Sequence, residues 1–258
     1  MAEILVGTSG FHYDDWKVVF YPSGMPQKDY LSFYASHFKV LELNFSYYRL
    51  PEARQSRQMI EKSDGRIEFI VKAHQEMTHR ISQNSLAEVL DLFLQGIAPF
   101  MDSDCLGGIL LQFPQSFHYT TKNRVYLKSL IERLLPNPLF VEFRQKQWLK
   151  ESVFQTLRQL KTGFVCVDEP PLPSLPPPMV TNTSNLGYIR FHGRNSEDWY
   201  GTDSRTRYDY LYTEGDLKSW IPEIIKLSAD TDKLYIFFNN HARGQAVTNA
   251  KMLINLLP

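Results

Sequence analysis

Eight short apolar runs punctuate the chain: Glu3–Val6, Val40–Leu43, Ile67–Val71, Gly108–Leu111, Leu139–Phe143, Phe164–Val167, Tyr188–Phe191 and Leu234–Phe238. Each is four or five residues long and reads as a strand buried on both faces. Between most of them, apolar residues recur at helical spacing. Tyr30, Phe33, Tyr34 and Phe38 follow the first run. Leu86, Leu90, Phe93 and Ile97 follow the third, with Pro99 expected to close that helix. Val125, Leu127, Leu130, Ile131 and Leu134 follow the fourth, behind Thr120 and Thr121 as candidate caps. Leu149, Val153, Leu157 and Leu160 make one stripe after the fifth, and Gly163 stands where that helix is expected to stop. Leu217, Ile221, Ile224 and Ile225 precede the last strand, with Pro222 expected to kink that helix or to mark its start. Ala246, Ala250, Leu253 and Leu257 close the chain.

Strand–helix alternation of this kind predicts a parallel sheet, and eight repeats at this length predict an α/β fold of the closed (β/α)8 TIM type. A single barrel domain over residues 1–258 accounts for the whole chain. One connection departs from the pattern. Between Asp168 and Gly187 the sequence reads Glu-Pro-Pro-Leu-Pro-Ser-Leu-Pro-Pro-Pro, which cannot sustain a regular helix. An irregular barrel, its sixth helix replaced by a proline-rich loop, is expected; a linker between two domains is the alternative.

Composition adds limits. Apolar residues at 43% and charged residues at 22% are ordinary globular values, which argues against extended disorder. The 28 basic and 28 acidic residues cancel, so an overall electrostatic grip on a nucleic-acid backbone loses ground, although a local basic pocket does not. Cys105 and Cys166 are too far apart to read as a metal-ligand pair, and Cys166 sits in an apolar run as a small hydrophobe. The chain opens directly into Ile4-Leu5-Val6, without a basic region followed by a long apolar segment, and no apolar run approaches spanning length. A cytoplasmic protein is expected, with no membrane partner.

Chemistry gathers at the C-terminal ends of the strands in a barrel of this type. Those ends carry Gly7-Thr8-Ser9, Glu42 with Asn44, Lys72 with His74, Gln112, Glu142 with Arg144, Asp168, Arg190 with His192, and Asn239-Asn240. Alternation puts Arg190, His192 and Arg194 on one side of their strand, with Ile189 and Phe191 on the other. Such residues at every strand end exceed what turns require, and burying them costs free energy unless they are paired. Glu42, Glu142 and Asp168 supply three carboxylates. Two of them can divide acid and base work if their surroundings separate their pKa values. With His192 or His74 they can instead bind a divalent metal ion. In a third reading, Glu42 and Glu142 simply neutralise Lys72, Arg144 and Arg190 in a buried charge lattice. No ligand motif such as His-Glu-x-x-His is present.

The cations point to an anion. Lys72, Arg144, Arg190 and Arg194 suit a phosphate or carboxylate, and Gly193, Arg194, Arg243 and Gly244 stand where many barrels bind phosphate. Aromatic residues form a second group: Phe11, Tyr13, Trp16, Phe20 and Tyr21 after the first strand, then Tyr47 and Tyr48 after the second. Trp199, Tyr200, Tyr208, Tyr210 and Tyr212 follow in a loop over residues 195–213 that is long enough to act as a lid. These rings either stack on a sugar or base or pack the loops onto the barrel rim.

These residues also match a family. Val6-Gly-Thr-Ser-Gly10, Trp16, Phe20-Tyr-Pro22, Tyr34-Ala-Ser-His-Phe38, Glu42-Leu-Asn44, Tyr48-Arg-Leu-Pro51 and Phe69-Ile-Val-Lys-Ala73 resemble the opening half of the YecE-like proteins, grouped as domain of unknown function 72. Leu111-Gln-Phe-Pro114 with Phe117, Val141-Glu-Phe-Arg144, Trp148, Arg190-Phe-His-Gly-Arg194, Phe238-Asn-Asn240 and Ala246-Val-x-Asn-Ala250 extend the likeness over nearly the whole chain, in order. The resemblance implies a (β/α)8-type barrel and no established activity. It places Glu42, Asn44, Lys72, Gln112, Glu142, Arg144, Arg190, His192 and Asn240 within the family's motifs without giving them roles.

The leading expectation is an enzyme acting on a small anionic substrate, a phosphorylated or carboxylated sugar or a nucleotide. Glu42 and Glu142 serve as acid and base, Lys72 stabilises charge or shares the proton, and His192 orients or shuttles. Asn44, Gln112, Arg144, Arg190, Arg194, Asn240, Trp16 and Tyr48 contact the substrate. The alternatives are a metal-assisted hydrolase or nuclease, with Glu42, Glu142, Asp168 and His192 as ligands, and a non-catalytic metabolite-binding or docking protein. A nucleic-acid partner ranks below a small molecule, and substrate and oligomeric state are left open.

Overall fold

A computed structural model describes residues 2–81, 84–201 and 204–258. Its elements run β1 (Glu3–Ser9), α1 (Tyr30–Ala35), β2 (Val40–Leu43), α2 (Phe45–Tyr48), α3 (Ala53–Ser63), β3 (Glu68–Lys72), α4 (Gln75–Thr78), α5 (Leu86–Asp102) and β4 (Leu106–Phe113). They continue with α6 (Thr121–Leu134), β5 (Leu139–Phe143), α7 (Glu151–Gln159), β6 (Gly163–Asp168), β7 (Leu186–Phe191), α8 (Ser204–Arg207), α9 (Glu214–Ala229), β8 (Lys233–Phe238) and α10 (Gln245–Leu256). The strands pair in sequence order, all parallel, and β8 closes on β1. The fold is the expected TIM-type barrel. No helix among the described residues is long and apolar enough to cross a membrane.

Two apolar layers hold it together. Side chains that point outward from the strands meet the helices in a large cluster that includes Leu41, Val71, Leu111, Val141, Cys166, Ile189 and Phe238. Those that point inward form a second cluster of Leu5, Val40, Ile70, Leu110, Phe140, Val165, Val167, Tyr188, Tyr235 and Phe237. Because successive strand residues face opposite ways, this inner set fixes what lies one step further along each strand. At the opposite end of the barrel, Lys233 pairs with Glu68 at 2.6 Å and Tyr235 donates to the same carboxylate at 2.7 Å.

Several local expectations need correction. Pro99 does not close α5, which continues to Asp102; the proline is buried inside its last turns. Gly163 is the first residue of β6, and the preceding helix stops at Gln159, with Lys161 in the left-handed conformation (φ 50°). A β-carbon at Gly163 would sit 2.6 Å from the Phe140 ring, so close packing requires the glycine. Pro222 lies inside α9, whose start is set by a reciprocal capping box between Thr213 and Asp216. Thr120 caps α6 by accepting from Asn123 N at 3.2 Å. No helix intervenes between Asp168 and Leu186. There the buried hydroxyl of Thr183 donates to Thr162 O and accepts from Phe164 N, both at 2.7 Å, which fixes the proline-rich loop's return to the barrel.

Candidate functional site

Counting in twos from the inner apolar cluster brings a ring of polar side chains to the C-terminal mouth. Val40 leads to Glu42, Ile70 to Lys72, Leu110 to Gln112, Phe140 to Glu142 and Arg144, Tyr188 to Arg190 and His192, and Phe237 to Asn239. Pairing of β4 with β5 sets Gln112 directly beside Glu142.

Arg190 sits at the centre of this ring. Its Nη2 donates to Glu42 Oε1 at 2.5 Å and its Nη1 to Glu142 Oε2 at 2.6 Å; Tyr188 donates to the other oxygen of Glu42 at 2.5 Å. Arg144 closes the next tier. Its Nε donates to Glu142 Oε1 at 2.6 Å and its Nη1 to Glu169 Oε2 at 2.8 Å, while Nη2 lies 3.0 Å from His192 Nε2. Asn239 Nδ2 reaches His192 Nδ1 at 3.1 Å. His192 Nε2 also lies 3.3 Å from Glu142 Oε1, so the imidazole is held between Asn239 on one side and Arg144 and Glu142 on the other. The indole of Trp199 packs under the Arg144 guanidinium at 5.5 Å, and Tyr208 lies 5.9 Å from the His192 ring. The loop after β7 therefore covers this tier. Thr202 and Asp203 of that loop lie outside the described residues.

The electrostatics separate the ring into fixed and titratable members. Burial alone would raise the Glu142 pKa, but the attraction of Arg190 and Arg144 outweighs it and holds the carboxyl well below its usual range. Burial, helped by repulsion from Arg144, pushes His192 down to about 3, so the imidazole is neutral. Lys72 is lowered to about 7, first by desolvation and then by repulsion from Arg190, against the pull of Glu42 and Glu142. Its ammonium group donates to Gln112 Oε1 at 2.7 Å and lies 4.6 Å from the centre of the Tyr47 ring. Glu169 is raised to about 7 by desolvation, with Arg144 opposing and Glu142 reinforcing the shift. Its Oε1 is buried without a hydrogen-bond partner among the described residues.

This geometry revises the expected roles. All four oxygens of Glu42 and Glu142 are engaged, two by Arg190, one by Tyr188 and one by Arg144, which is the arrangement of the third reading, a buried charge lattice. The metal set of Glu42, Glu142, Asp168 and His192 does not assemble. Arg190 stands between the two glutamates, and Asp168 faces outward, where Arg194, Tyr212 and Trp220 donate to it. Among the described residues no group of three or more His, Cys, Asp or Glu converges on one point.

The Arg194 guanidinium is bonded to Asp168 at 2.6 Å and to Asp216 at 2.9 Å. The expected phosphate cradle is likewise occupied by carboxylates: Arg243 pairs with Asp209 at 2.8 Å, and its backbone N–H donates to Asp15 at 2.6 Å. Asn240 bonds to Tyr210 O and Asn249 Oδ1, holding the β7 loop to α10, and its neighbour Asn239 takes the place in the ring. Trp16 is fully buried and donates to His241 O at 2.7 Å; with Phe20 and Tyr21 it packs the β1 loop onto the rim. Tyr48 is 72% exposed, edge-on to Tyr47. Asn44 lines a cavity of about 490 Å³ beside the mouth, with Tyr13, Lys28, Arg49, Gln58 and Lys62, and among the described residues no carboxylate lines it.

With the site in hand, comparison with known proteins identifies the chain. A family model described as a protein of unknown function, DUF72, matches residues 5–258. The chain belongs to the DUF72 family. Among curated proteins it is similar to the UPF0759 protein YunF of Bacillus subtilis, at 31% identity over 98% of this chain and 94% of that one. Among solved structures, this DUF72 barrel matches a DUF72 family protein (TM1631) of Thermotoga maritima, with 38% identity, a TM-score of 0.91 and 98% coverage of both chains. A DUF72 family protein (EF0366) of Enterococcus faecalis matches at 25% identity and a TM-score of 0.85, over 98% of this chain and 95% of that one.

Glu169 is the member of this ring that reading strand ends overlooks, and Asn239, read there beside Asn240, is passed over for its neighbour. The signal was there in the alternation. Val165 and Val167 point inward, so residue 169 does too and Asp168 does not; Phe237 likewise selects Asn239 over Asn240.

Proposed function

We propose that this barrel is an enzyme acting on a small anionic molecule, a phosphorylated or carboxylated sugar or a nucleotide, by acid–base chemistry at its C-terminal mouth. The observation that carries this reading is the pair of proton-transfer groups, Lys72 and Glu169, moved to about 7 from opposite directions within one charge lattice. A group with a pKa near the working pH is half in each form, which suits it to give or take a proton in a transition state. Two carboxylates, Glu42 and Glu142, are paired with two guanidiniums, Arg144 and Arg190, so the charges of the frame balance. The mouth is then balanced with Lys72 and Glu169 both neutral or both charged, and a proton passes between those states without leaving a net buried charge.

Arg144 has N–H groups beyond the three it uses, and it exchanges the Glu169 carboxylate for that of a substrate when Glu169 is protonated. The cations of the adjoining cavity, Lys28, Arg49 and Lys62, give an anionic tail a second point of attraction. His192 and Asn239 position Arg144 and Glu142 and transfer no proton themselves.

The experiment is a thermal-shift screen of carboxylated and phosphorylated sugars and nucleotides at neutral pH, followed by proton NMR of each stabilising compound. At least one is expected to be converted, with the rate falling about a hundredfold or more in Lys72→Met and in Glu169→Gln. A compound that binds but is never turned over would leave only the binding-protein reading.

A further inference from the structure

We propose that Lys72 is a nucleophile whose Nζ joins the carbonyl carbon of the substrate as an imine, so that this mouth takes aldehydes or ketones bearing a carboxylate or phosphate. The inference rests on the acid–base reading of the same mouth and names its chemistry. It begins from how differently the chain treats its lysines. All are exposed except Lys72 and Lys233. Lys233, at the closed end of the barrel, pairs with the carboxylate of Glu68 at 2.6 Å, as a lysine retained for a fixed charge does. Lys72 has no carboxylate partner among the described residues. Its acceptor is the neutral amide oxygen of Gln112, and a ring face of Tyr47 lies against it.

An amide accepts an N–H from a neutral amine as well as from an ammonium group, so Gln112 orients Nζ without demanding its charge. Desolvation is the main influence against the Lys72 charge; Arg190 and Arg144 add to it, and Glu42 and Glu142 oppose it. A partly dehydrated lysine beside other cations is the arrangement in which the free amine persists at neutral pH and attacks carbonyls. Lys72 is also only partly buried.

The step balances within the groups present. The Nζ lone pair forms the C–N bond and the carbonyl π pair moves to oxygen, which takes a proton. The amine loses a proton, and the carbinolamine expels its hydroxyl, protonated by Glu169, as water, leaving the C=N bond. Arg144 holds the carboxylate or phosphate of the same molecule. An iminium formed in this way is an electron sink for proton removal or carbon–carbon cleavage at the neighbouring carbon.

The test uses the intact protein with glyoxylate, the smallest aldehyde carboxylate, and cyanoborohydride, which reduces an iminium to a stable secondary amine. Peptide mass spectrometry then reads the carboxymethyl group on each lysine. At pH 7, Lys72 is expected to be labelled about tenfold or more faster than the exposed lysines, whose free-amine fraction is far smaller. Glu169→Gln is expected to slow labelling of Lys72 about tenfold and leave the exposed lysines unchanged. Wild-type protein labelled on its surface lysines and not on Lys72 would overturn the proposal. The anion site is read separately, by repeating the labelling with uncharged glycolaldehyde. Arg144→Met is expected to abolish the preference for glyoxylate; if that preference is unaffected while Lys72 is still labelled, the imine stands and the anionic-substrate reading falls.

Discussion

Arg190 donates from Nη1 to Glu142 Oε2 at 2.6 Å, and neither side chain is more than 1% exposed. A pair so dry gains Coulomb energy but gives up hydration, and its net worth against an apolar replacement is small. Breaking one side is different, because an unpaired charge is left in the barrel. Arg190→Met leaves Glu42 without a cationic partner, holding only the Tyr188 hydroxyl, and leaves Glu142 only Arg144 and His192. Urea unfolding is expected to show a loss of about 3–5 kcal/mol. Adding Glu142→Gln should restore part of it, since the stranded carboxylate is then gone. Strictly additive losses in the double variant would contradict the lattice.

Stability should also depend on pH through the two titratable members of the ring. Glu169 is raised from an ordinary 4.5 to about 7, so folding favours its protonated form. The stability this gives is fully present below about pH 4.5 and is lost as pH rises to about 7. Lys72 is lowered from 10.5 to about 7, so its contribution is fully present above about pH 10.5 and is lost as pH falls toward 7. Stability from this pair therefore passes through a minimum near neutral pH. The groups that face them are Arg144, Glu142 and Asp168 for Glu169, and Arg190, Glu42, Glu142 and Arg144 for Lys72, with His79 close by. In Glu169→Gln the decline between pH 4.5 and 7, on the order of 3 kcal/mol, should disappear from denaturation midpoints. In Lys72→Met the rise above pH 7 should go instead.

How much of this was readable in the chain divides along a physical line. The strands were legible because both of their faces are buried, leaving runs such as Leu139–Phe143 apolar throughout. Their C-terminal polar residues were legible because each apolar run ends in chemistry, as Glu42, Lys72 and Glu142 do. Which of two adjacent polar residues enters the mouth depends on parity, and there Asp168 and Asn240 drew attention that belonged to Glu169 and Asn239. Partner choice was out of reach. Nothing in the order of residues says that Arg194 meets Asp168 and Asp216 rather than a ligand, or that Arg190 ties two glutamates together, because these pairings span 22 to 148 positions.

Asp168 anchors the outer side of the mouth, and this too can be checked. Its two oxygens accept from Arg194 Nε and Nη2, Tyr212 Oη and Trp220 Nε1, all within 2.9 Å. Tyr212 in turn accepts from Gly193 N at 2.8 Å, so the carboxylate ties α9 and the end of the β7 loop to the barrel. Asp168→Ala removes acceptors from buried donors and the partner of Arg194. A loss of about 3 kcal/mol is expected. Limited proteolysis should find new cleavage between β7 and α9, and a cleavage pattern identical to wild type would mean that the loop is held by something else.

The same substitution at two helical glycines should act with opposite sign. Replacing glycine by alanine within a helix is ordinarily stabilising by about 1 kcal/mol, through helix propensity. Gly96 in α5 is an exception, because its added β-carbon would lie 2.0 Å from the backbone oxygen of Pro51 and 2.7 Å from its carbonyl carbon. Backbone cannot swing aside as a side chain does, so α5 must move away from the segment leading into α3, stretching the 2.7 Å bond from Ser56 Oγ to Gly96 O. Overpacking of this kind costs about 1–3 kcal/mol, enough to overturn the propensity gain. At Gly215, in the first turn of α9, the nearest atom to a β-carbon is Thr213 Oγ1 at 3.7 Å, an ordinary contact. Gly215→Ala should therefore raise the midpoint of thermal unfolding by about 2 °C, while Gly96→Ala lowers it by up to about 4 °C. A stabilised Gly96→Ala would show that the close approach of Pro51 to α5 is not maintained in solution.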